Sequence, residues 1–290
     1  EGRIPNGIQG DLIAVGAAYK KMYRGFQLKG EAQTNIVGDF SGLDFKAEAS
    51  YELKDKANFS GGIHINSAPA NYNHLLYQSS YENYNWFNAE AYDNVKTSSL
   101  YFNMRSNKWL NASAELVNIA DYAYFAKNDL GLTQSFQAGE NVTYLKLKLN
   151  KEFRFGKFAL DNTVAYQNVS SGMSYLNVPE VITRNTLYYR DQWFQKALFV
   201  QTGFRFNYFT EYNMNGYDPV LAEFYVQNDQ ELGGFPLLDL FFNMKVRQTR
   251  IFFIAEHINS LVSPSDYYSA PGYPYRDFTF RFGLVWNFFL

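Results

Sequence analysis

Cysteine is absent from all 290 residues, so neither disulfides nor thiolate metal sites can hold this chain together. Long hydrophobic runs are absent as well. No stretch approaches the ~18 consecutive apolar residues of a membrane helix, and the mean hydropathy is −0.34, which excludes a helical membrane protein. Neither sign of charge dominates: 26 Lys and Arg face 28 Asp and Glu, a net charge of −2, and such a balance argues against a nucleic-acid partner. The three histidines, His64, His74 and His257, lack the spacing of a metal site. His257, in Ala255-Glu256-His257-Ile258-Asn259, is expected to be a structural or rim residue at a strand end. No G-x-S-x-G, P-loop or G-x-G-x-x-G occurs. No catalytic residue is assigned, no enzyme is expected and no cofactor is implied. The opening Glu1-Gly2-Arg3 carries no basic, apolar leader, so any signal peptide lies outside these residues.

Aromatic residues, by contrast, are abundant at 19%, with 27 Phe and 24 Tyr against 5 Met. Phe and Tyr favour strands, and Tyr with Trp gathers where apolar surface meets water. Alternation of period two runs from end to end. In Phe26–Gly38, Phe26, Leu28, Gly30, Ala32, Thr34 and Ile36 alternate with Gln27, Lys29, Glu31, Gln33 and Asn35. In the next segment Leu43, Phe45, Ala47, Ala49, Tyr51 and Leu53 alternate with Asp44, Lys46, Glu48, Ser50 and Glu52. Each is a strand with one apolar and one polar face. A soluble sandwich also alternates, but its strands cluster near five or six residues, whereas a tilted membrane strand needs roughly nine to eleven. Rows of full charges on the polar faces suit an aqueous or polar lumen better than a packed sandwich core. The expectation is an all-β, antiparallel outer-membrane β-barrel, in which only alternate residues face lipid and mean hydropathy stays polar.

The remaining strands are placed at Gly10–Lys21, Asn58–Ser67, Thr97–Asn107, Trp109–Ala120, Asn141–Lys151, Lys157–Val169, Val181–Arg190, Ala197–Thr210, Pro236–Val246, Arg250–Ser260 and Asp277–Phe289. Asn162 interrupts one apolar face, and Ile251–Ile258 is apolar on both sides. Short turns such as Lys54-Asp55-Lys56-Ala57 and Arg247-Gln248-Thr249 alternate with long connections near 68–96, 121–140, 170–180, 211–235 and 261–276. Outer-membrane barrels have short periplasmic turns and long extracellular loops, so the whole chain reads as one barrel domain. About thirteen strands is an odd count, and bacterial barrels are usually even. Either a strand hides in Val220–Asp229 or further N-terminal strands lie outside this chain. The second is favoured, because a strand at Val220 would scramble the short-and-long alternation.

The chain ends Arg281-Phe282-Gly283-Leu284-Val285-Trp286-Asn287-Phe288-Phe289-Leu290. Arg281, Gly283, Trp286 and Phe288 resemble the terminal signal by which barrel-assembly machines recognise their clients. From about Gly38 onward several stretches resemble, in order, the putative porin family of the Bacteroidetes outer membrane. They are Gly38-Asp39-Phe40, Ala123-Tyr124-Phe125, Phe153-Arg154-Phe155-Gly156-Lys157, Leu160 through Gln167, Tyr217-Asp218-Pro219, Ala255 through Asn259, and Tyr273-Pro274 through Phe288. The resemblance implies a barrel and the cell outer membrane, with lipid and the assembly machinery as partners, and members that are longer at the N-terminus. It implies no substrate.

Parity assigns Lys29, Glu31, Lys46, Glu48, Arg105, Lys146, Lys148, Asp161, Arg205, Asp239 and Arg281 to the lumen face, with both signs interspersed. An aqueous channel with weak ion preference fits this face, and so does a closed barrel whose charges pair across strands. Trp109, Trp193 and Trp286 lie beside short turns or the C-terminus and are expected to form one interfacial girdle. Tyr72, Tyr77, Tyr81, Tyr84, Trp86, Phe87 and Tyr92 crowd the 68–96 loop. Such a loop suits protein contact, or folds inward as a plug, or stacks on sugars. Two functions remain. One is a porin-like channel for passive diffusion of small solutes. The other is a structural or accessory barrel subunit of an outer-membrane assembly or secretion complex, in contact with other outer-membrane proteins.

Overall fold

In a computed structural model, residues 4–38, 40–54, 56–263 and 267–288 are described. Asp39 of the first family stretch, Asp55 of a short turn, and the terminal Glu1–Arg3 and Phe289–Leu290 lie outside them. Thirteen long strands neighbour one another in chain order in one sheet. They are β1 (Leu12–Tyr23), β2 (Phe26–Gly38), β3 (Leu43–Leu53), β4 (Ala57–Ala68), β5 (Val95–Arg105), β6 (Asn111–Ala120) and β7 (Val142–Phe155). Then follow β8 (Phe158–Ser171), β9 (Val181–Trp193), β10 (Leu198–Phe209), β11 (Leu237–Val246), β12 (Thr249–Glu256) and β13 (Thr279–Trp286). β1 and β13 end the strand order, each with one neighbour among the described residues. Chain contacts divide the molecule into a first unit (1–147, 167–178 and 213–231) and a second (148–166, 179–212 and 232–290).

In the first unit the antiparallel register turns the sequence alternation into transverse rows. Lys29, Glu48, Gly62, Tyr101 and Glu115 stand opposite one another across five strands. One residue along, Leu28, Ala49, Gly61, Phe102 and Ala114 form the neighbouring row on the other face. Successive side chains of a strand point to opposite faces, so a polar and an apolar face are built residue by residue. Gly62 has a steric reason: a Cβ there would stand 2.6 Å from the Tyr101 hydroxyl. The missing side chain lets Tyr101 lie across the strand and donate to Glu48 Oε2 at 3.1 Å.

The second unit follows the same grammar. Leu160, Leu187, Phe204, Leu240, Ala255 and Phe280 make one apolar row. Asp161, Thr186, Arg205 and Asp239 make a polar one. Asn162, which interrupts the apolar face, stands opposite Asn185 and accepts its amide at 2.8 Å. Paired in this way, the two amides avoid the cost of an unsatisfied polar group on an apolar face. The polar face of this unit is not polar throughout: Ala159, Tyr188 and Phe241 are buried there with Ile254 packed against them. This apolar patch escaped the parity reading, which caught charges but not their apolar neighbours.

Strand boundaries differ from expectation in two informative places. β6 starts at Asn111, leaving Trp109 in the turn, because Ser106 Oγ collects the backbone N–H groups of Lys108 and Trp109 at 3.2 and 3.1 Å. β12 stops at Glu256, well short of Ser260, because His257 adopts the left-handed conformation (φ 55°, ψ 46°) and a 3-10 turn follows over Ile258–Leu261. The segment Val220–Asp229 adds no strand to the large sheet. Its Glu223–Tyr225 pairs only with Gly216–Asp218, in a small loop hairpin.

The two-faced register carries a direct test. Phe102→Arg should cost about 2–4 kcal/mol when placed near the bilayer midplane, while Asn103→Arg, one residue along on the polar face, should cost little. Refolding titrations into lipid vesicles read both, and equal penalties would overturn the assignment of faces.

Candidate functional site

Two features carry chemistry: the charged polar face and the long connections. On the polar face of the first unit, Lys29 Nζ lies 3.6 Å from Glu48 Oε1. Lys46 stands opposite Glu31 in register yet turns to Asp44 of its own strand, at 3.0 Å. Asp44 also accepts from His64 at 2.8 Å and Asn66 at 3.1 Å. In the second unit, Asn150 donates to Asp161 Oδ1 at 2.9 Å, and Arg205 lies 3.9 Å from Asp239. Arg281 pairs with Glu256, which Arg276 also reaches at 3.0 Å. Glu31, Arg105, Lys146 and Lys148 make no ion pair with a described residue. Parity thus assigns the face, while the pairing on it depends on side-chain reach.

The family stretch Ala255–Asn259 acquires a structural meaning here. His257 is buried, takes its backbone N–H to Asp239 Oδ1 at 3.0 Å, and sets Nδ1 2.9 Å from the Arg276 carbonyl. Asn259 accepts from the Leu238 backbone at 3.0 Å and donates to the Pro236 carbonyl at 2.9 Å. This constellation locks a loop onto the strand ends. Among the terminal residues, Arg281 serves Glu256, and a Cβ on Gly283 would stand 2.4 Å from the Phe252 ring. Trp286 stacks on Phe288 at 5.0 Å. Trp109 lies in the β5–β6 turn, Trp193 ends β9 and Trp286 ends β13; all three are exposed.

The long connections of the first unit fold into an assembly with its own core. Leu75, Leu76, Phe125, Met214 and Leu221 are all buried. Phe125 is the centre: the His74 ring stacks on it at 4.1 Å and Trp86 packs at 6.3 Å. Its carbonyl accepts the Val226 N–H at 2.7 Å. Tyr77 stacks on Trp86 at 5.1 Å and donates to the Val220 carbonyl at 2.9 Å. Asn73 donates to Glu223 at 2.8 Å. Full burial of each large apolar side chain contributes on the order of 1.5–3 kcal/mol, so the loops are held by the same force as a small soluble core.

Asp218 ties three connections together. Its carboxylate accepts from Tyr84 at 3.0 Å and from the backbone N–H groups of Val220 and Leu221 at 2.9 and 3.2 Å, with Thr133 as a further donor. Burial alone pushes this carboxyl up, but these hydrogen bonds outweigh it and hold its pKa below the ordinary 3.8. Burial, then the Asp218 hydrogen bond, raises the Tyr84 hydroxyl. Burial lowers the His74 imidazole, against the pull of the Glu223 carboxylate. His74 Nδ1 lies 3.0 Å from Ser135 Oγ, which also meets the Tyr92 hydroxyl at 3.0 Å. The sequence marked the aromatic residues of this assembly but not its keystones. The signals were the family stretches Ala123-Tyr124-Phe125 and Tyr217-Asp218-Pro219, which hold Phe125 and Asp218.

These shifts set a pH window. Because the folded pKa of His74 lies below the ordinary 6.5, the unfolded loops take up its proton first. The assembly therefore keeps its full stability above about 6.5 and loses it as pH falls through that value toward the lowered folded one. Asp218 adds a second loss only below its ordinary 3.8. Limited proteolysis should cleave the loops faster at pH 5 than at pH 8, and His74→Phe should flatten the difference. Equal pH dependence in wild type and variant would remove His74 from this role.

A family model described as putative porin matches residues 2–290. No curated protein sequence matches the chain. Among solved structures, it is similar to the FrpB iron transporter from Neisseria meningitidis, with 13% identity and a TM-score of 0.63, covering 93% of this chain and 44% of that one. The siderophore receptor PirA from Acinetobacter baumannii gives 10% identity and 0.64, covering 95% and 45%. The copper transporter OprC gives 15% and 0.63, covering 84% and 42%. The chain thus spans less than half the length of each of these barrels, and at such identities the likeness concerns the fold. The chain belongs to the putative porin family, and its fold is that of an outer-membrane β-barrel.

Proposed function

We propose that the chain walls a porin-like outer-membrane channel through which small solutes diffuse passively, with its extracellular loops setting the size limit. The observation that carries this reading is the exposure of the charged face. The side chains of Lys29 and Lys46 are 42% and 48% exposed although each has a carboxylate partner. Charges withdrawn into a dry interior cost several kcal/mol each, whereas a water-filled lumen leaves them solvated. Both signs occur along the face, which favours weak ion preference. The family name points the same way. The metals and siderophores in the names of the similar barrels belong to those proteins.

A second reading, an accessory barrel subunit of an outer-membrane assembly or secretion complex, draws on a different observation. The polar face of the second unit carries the buried patch of Ala159, Tyr188 and Phe241, as a filled interior would. Stable co-purification with a larger assembly, together with absent conductance, would favour it.

Planar-bilayer conductance of the purified protein separates the two. Lys146 and Lys148 have no ion-pair partner among the described residues, so their charge is available to passing ions. The double variant Lys146→Glu, Lys148→Glu should shift preference toward cations at low salt. The shift should shrink near 1 M, where the screening length falls to about 3 Å. Inserted protein that conducts at no voltage would sink the channel reading.

A further inference from the structure

A groove at the loop-side ends of β2 to β6 borders the loop core, with Leu75 and Tyr92 in its wall. It has two adjoining chambers, of about 390 and 460 Å³, that share Ser41, Ser67, Asn94 and Lys96. Each lies within the ~300–1,000 Å³ range of small-ligand sites. Asn94 holds the walls together: its amide donates to the Ser41 carbonyl and hydroxyl, both at 3.0 Å, and to Ser67 Oγ at 3.3 Å. That joins the β2–β3 turn to the end of β4. Asp93 beside it is pinned through its backbone, accepting from Gln137 Nε2 at 2.8 Å and donating to Gln137 Oε1 at 3.0 Å. No described residue donates to the exposed Asp93 carboxylate, so the loop fixes the residue and leaves its acid group available.

The lining discriminates between ligand classes. Lys96 Nζ lies 3.1 Å from Asp121, which neutralises the one cation of the groove, and Asp93 then leaves it negative. Phosphates, sulfates and carboxylates are repelled. A wholly apolar ligand would leave the remaining polar capacity of the lining, the Asn94 Oδ1 acceptor and the Ser41 and Ser67 hydroxyl donors, buried without partners. What remains is a neutral molecule rich in hydroxyls that also presents C–H surface, to suit the rings of Phe40 and Tyr92 in the first chamber and the side chains of Leu43 and Ile65 in the second. We propose that this groove binds a neutral glycan. Leu43 and Ile65 continue the apolar face of their strands, so the glycan is either the headgroup of a membrane glycolipid or a free oligosaccharide.

The two sources separate experimentally, and neither depends on whether the barrel conducts. Purified protein in detergent is applied to an array of neutral hexose and N-acetylhexosamine oligosaccharides. In parallel it is mixed with phosphatidylcholine vesicles with and without digalactosyldiacylglycerol. Binding on the array assigns a free glycan, and binding only to the glycolipid vesicles assigns a membrane-borne one. Asp93→Ala, which keeps both backbone bonds, should weaken binding about tenfold or more, the scale of one lost charged hydrogen bond. Ala89→Trp, which fills the first chamber, should abolish it, and both variants should keep the wild-type unfolding temperature. Absence of binding in both arms, unchanged binding in Asp93→Ala, or a preference for anionic glycans would overturn the proposal.

Discussion

Everything in this molecule depends on a single constraint: in hydrocarbon, backbone N–H and C=O groups have no water to turn to and must be satisfied by neighbouring strands. A strand that meets this demand laterally has two faces left, and successive residues fall on opposite ones. That is why Phe102 and Asn103, or Leu28 and Lys29, coexist as chain neighbours with opposite surroundings. The same constraint explains the exceptions. Asn162 and Asn185 survive on an apolar face because one bond joins them and the Leu160 carbonyl and Thr183 hydroxyl take up the Asn162 amide and the Asn185 oxygen, and Gly62 gives up its side chain so that Tyr101 can reach Glu48.

Once the strands commit their large apolar side chains to lipid, burial from water has to happen elsewhere. It happens in the connections and, on the polar face of the second unit, in the patch of Ala159, Tyr188 and Phe241. Phe125, Leu76 and Leu221 are more deeply buried than most strand residues, and the aromatic stack of Tyr77, Trp86, Phe125 and His74 supplies rigid surface at small entropic cost. A core alone would leave the loop carbonyls and amides unpaired. Asp218 accepts from Tyr84 and from its own loop backbone, and Ser135 meets His74 and Tyr92 of another connection. Loops built in this way act as a defined structure rather than a mobile fringe, which is what setting a size limit or holding a ligand groove requires.

Period two made the thirteen strands legible, because it depends on a local rule that every strand obeys. Where a boundary was misplaced, a local device had intervened: Ser106 collecting the turn around Trp109, and the left-handed His257 stopping β12. The loop core was beyond reach for the opposite reason. Asn73 and Glu223 are 150 residues apart, and no periodicity links a Tyr at position 84 to an Asp at position 218. Ion pairs fell between these cases. Parity put Lys46 on the charged face, but the choice of Asp44 over Glu31 is a matter of side-chain reach that only geometry reveals.

The fold cannot select a solute. Barrels of similar fold are named for iron, copper and siderophores, and a shared scaffold hosts many activities through what is grafted onto it. If the chain walls a channel, as proposed, discrimination comes from side chains that the lateral hydrogen-bond constraint leaves free to vary. They are of two kinds: the charges of the polar face, partly neutralised in pairs such as Lys29–Glu48, and the walls of the loop assembly. Exposed charges act on passing ions through a screened field, over about a Debye length of 8–10 Å at ordinary salt. The loops act by shape and by hydrogen bonds at contact distance. On the proposed reading, a channel that combined the two would reject by size first and bias by charge second.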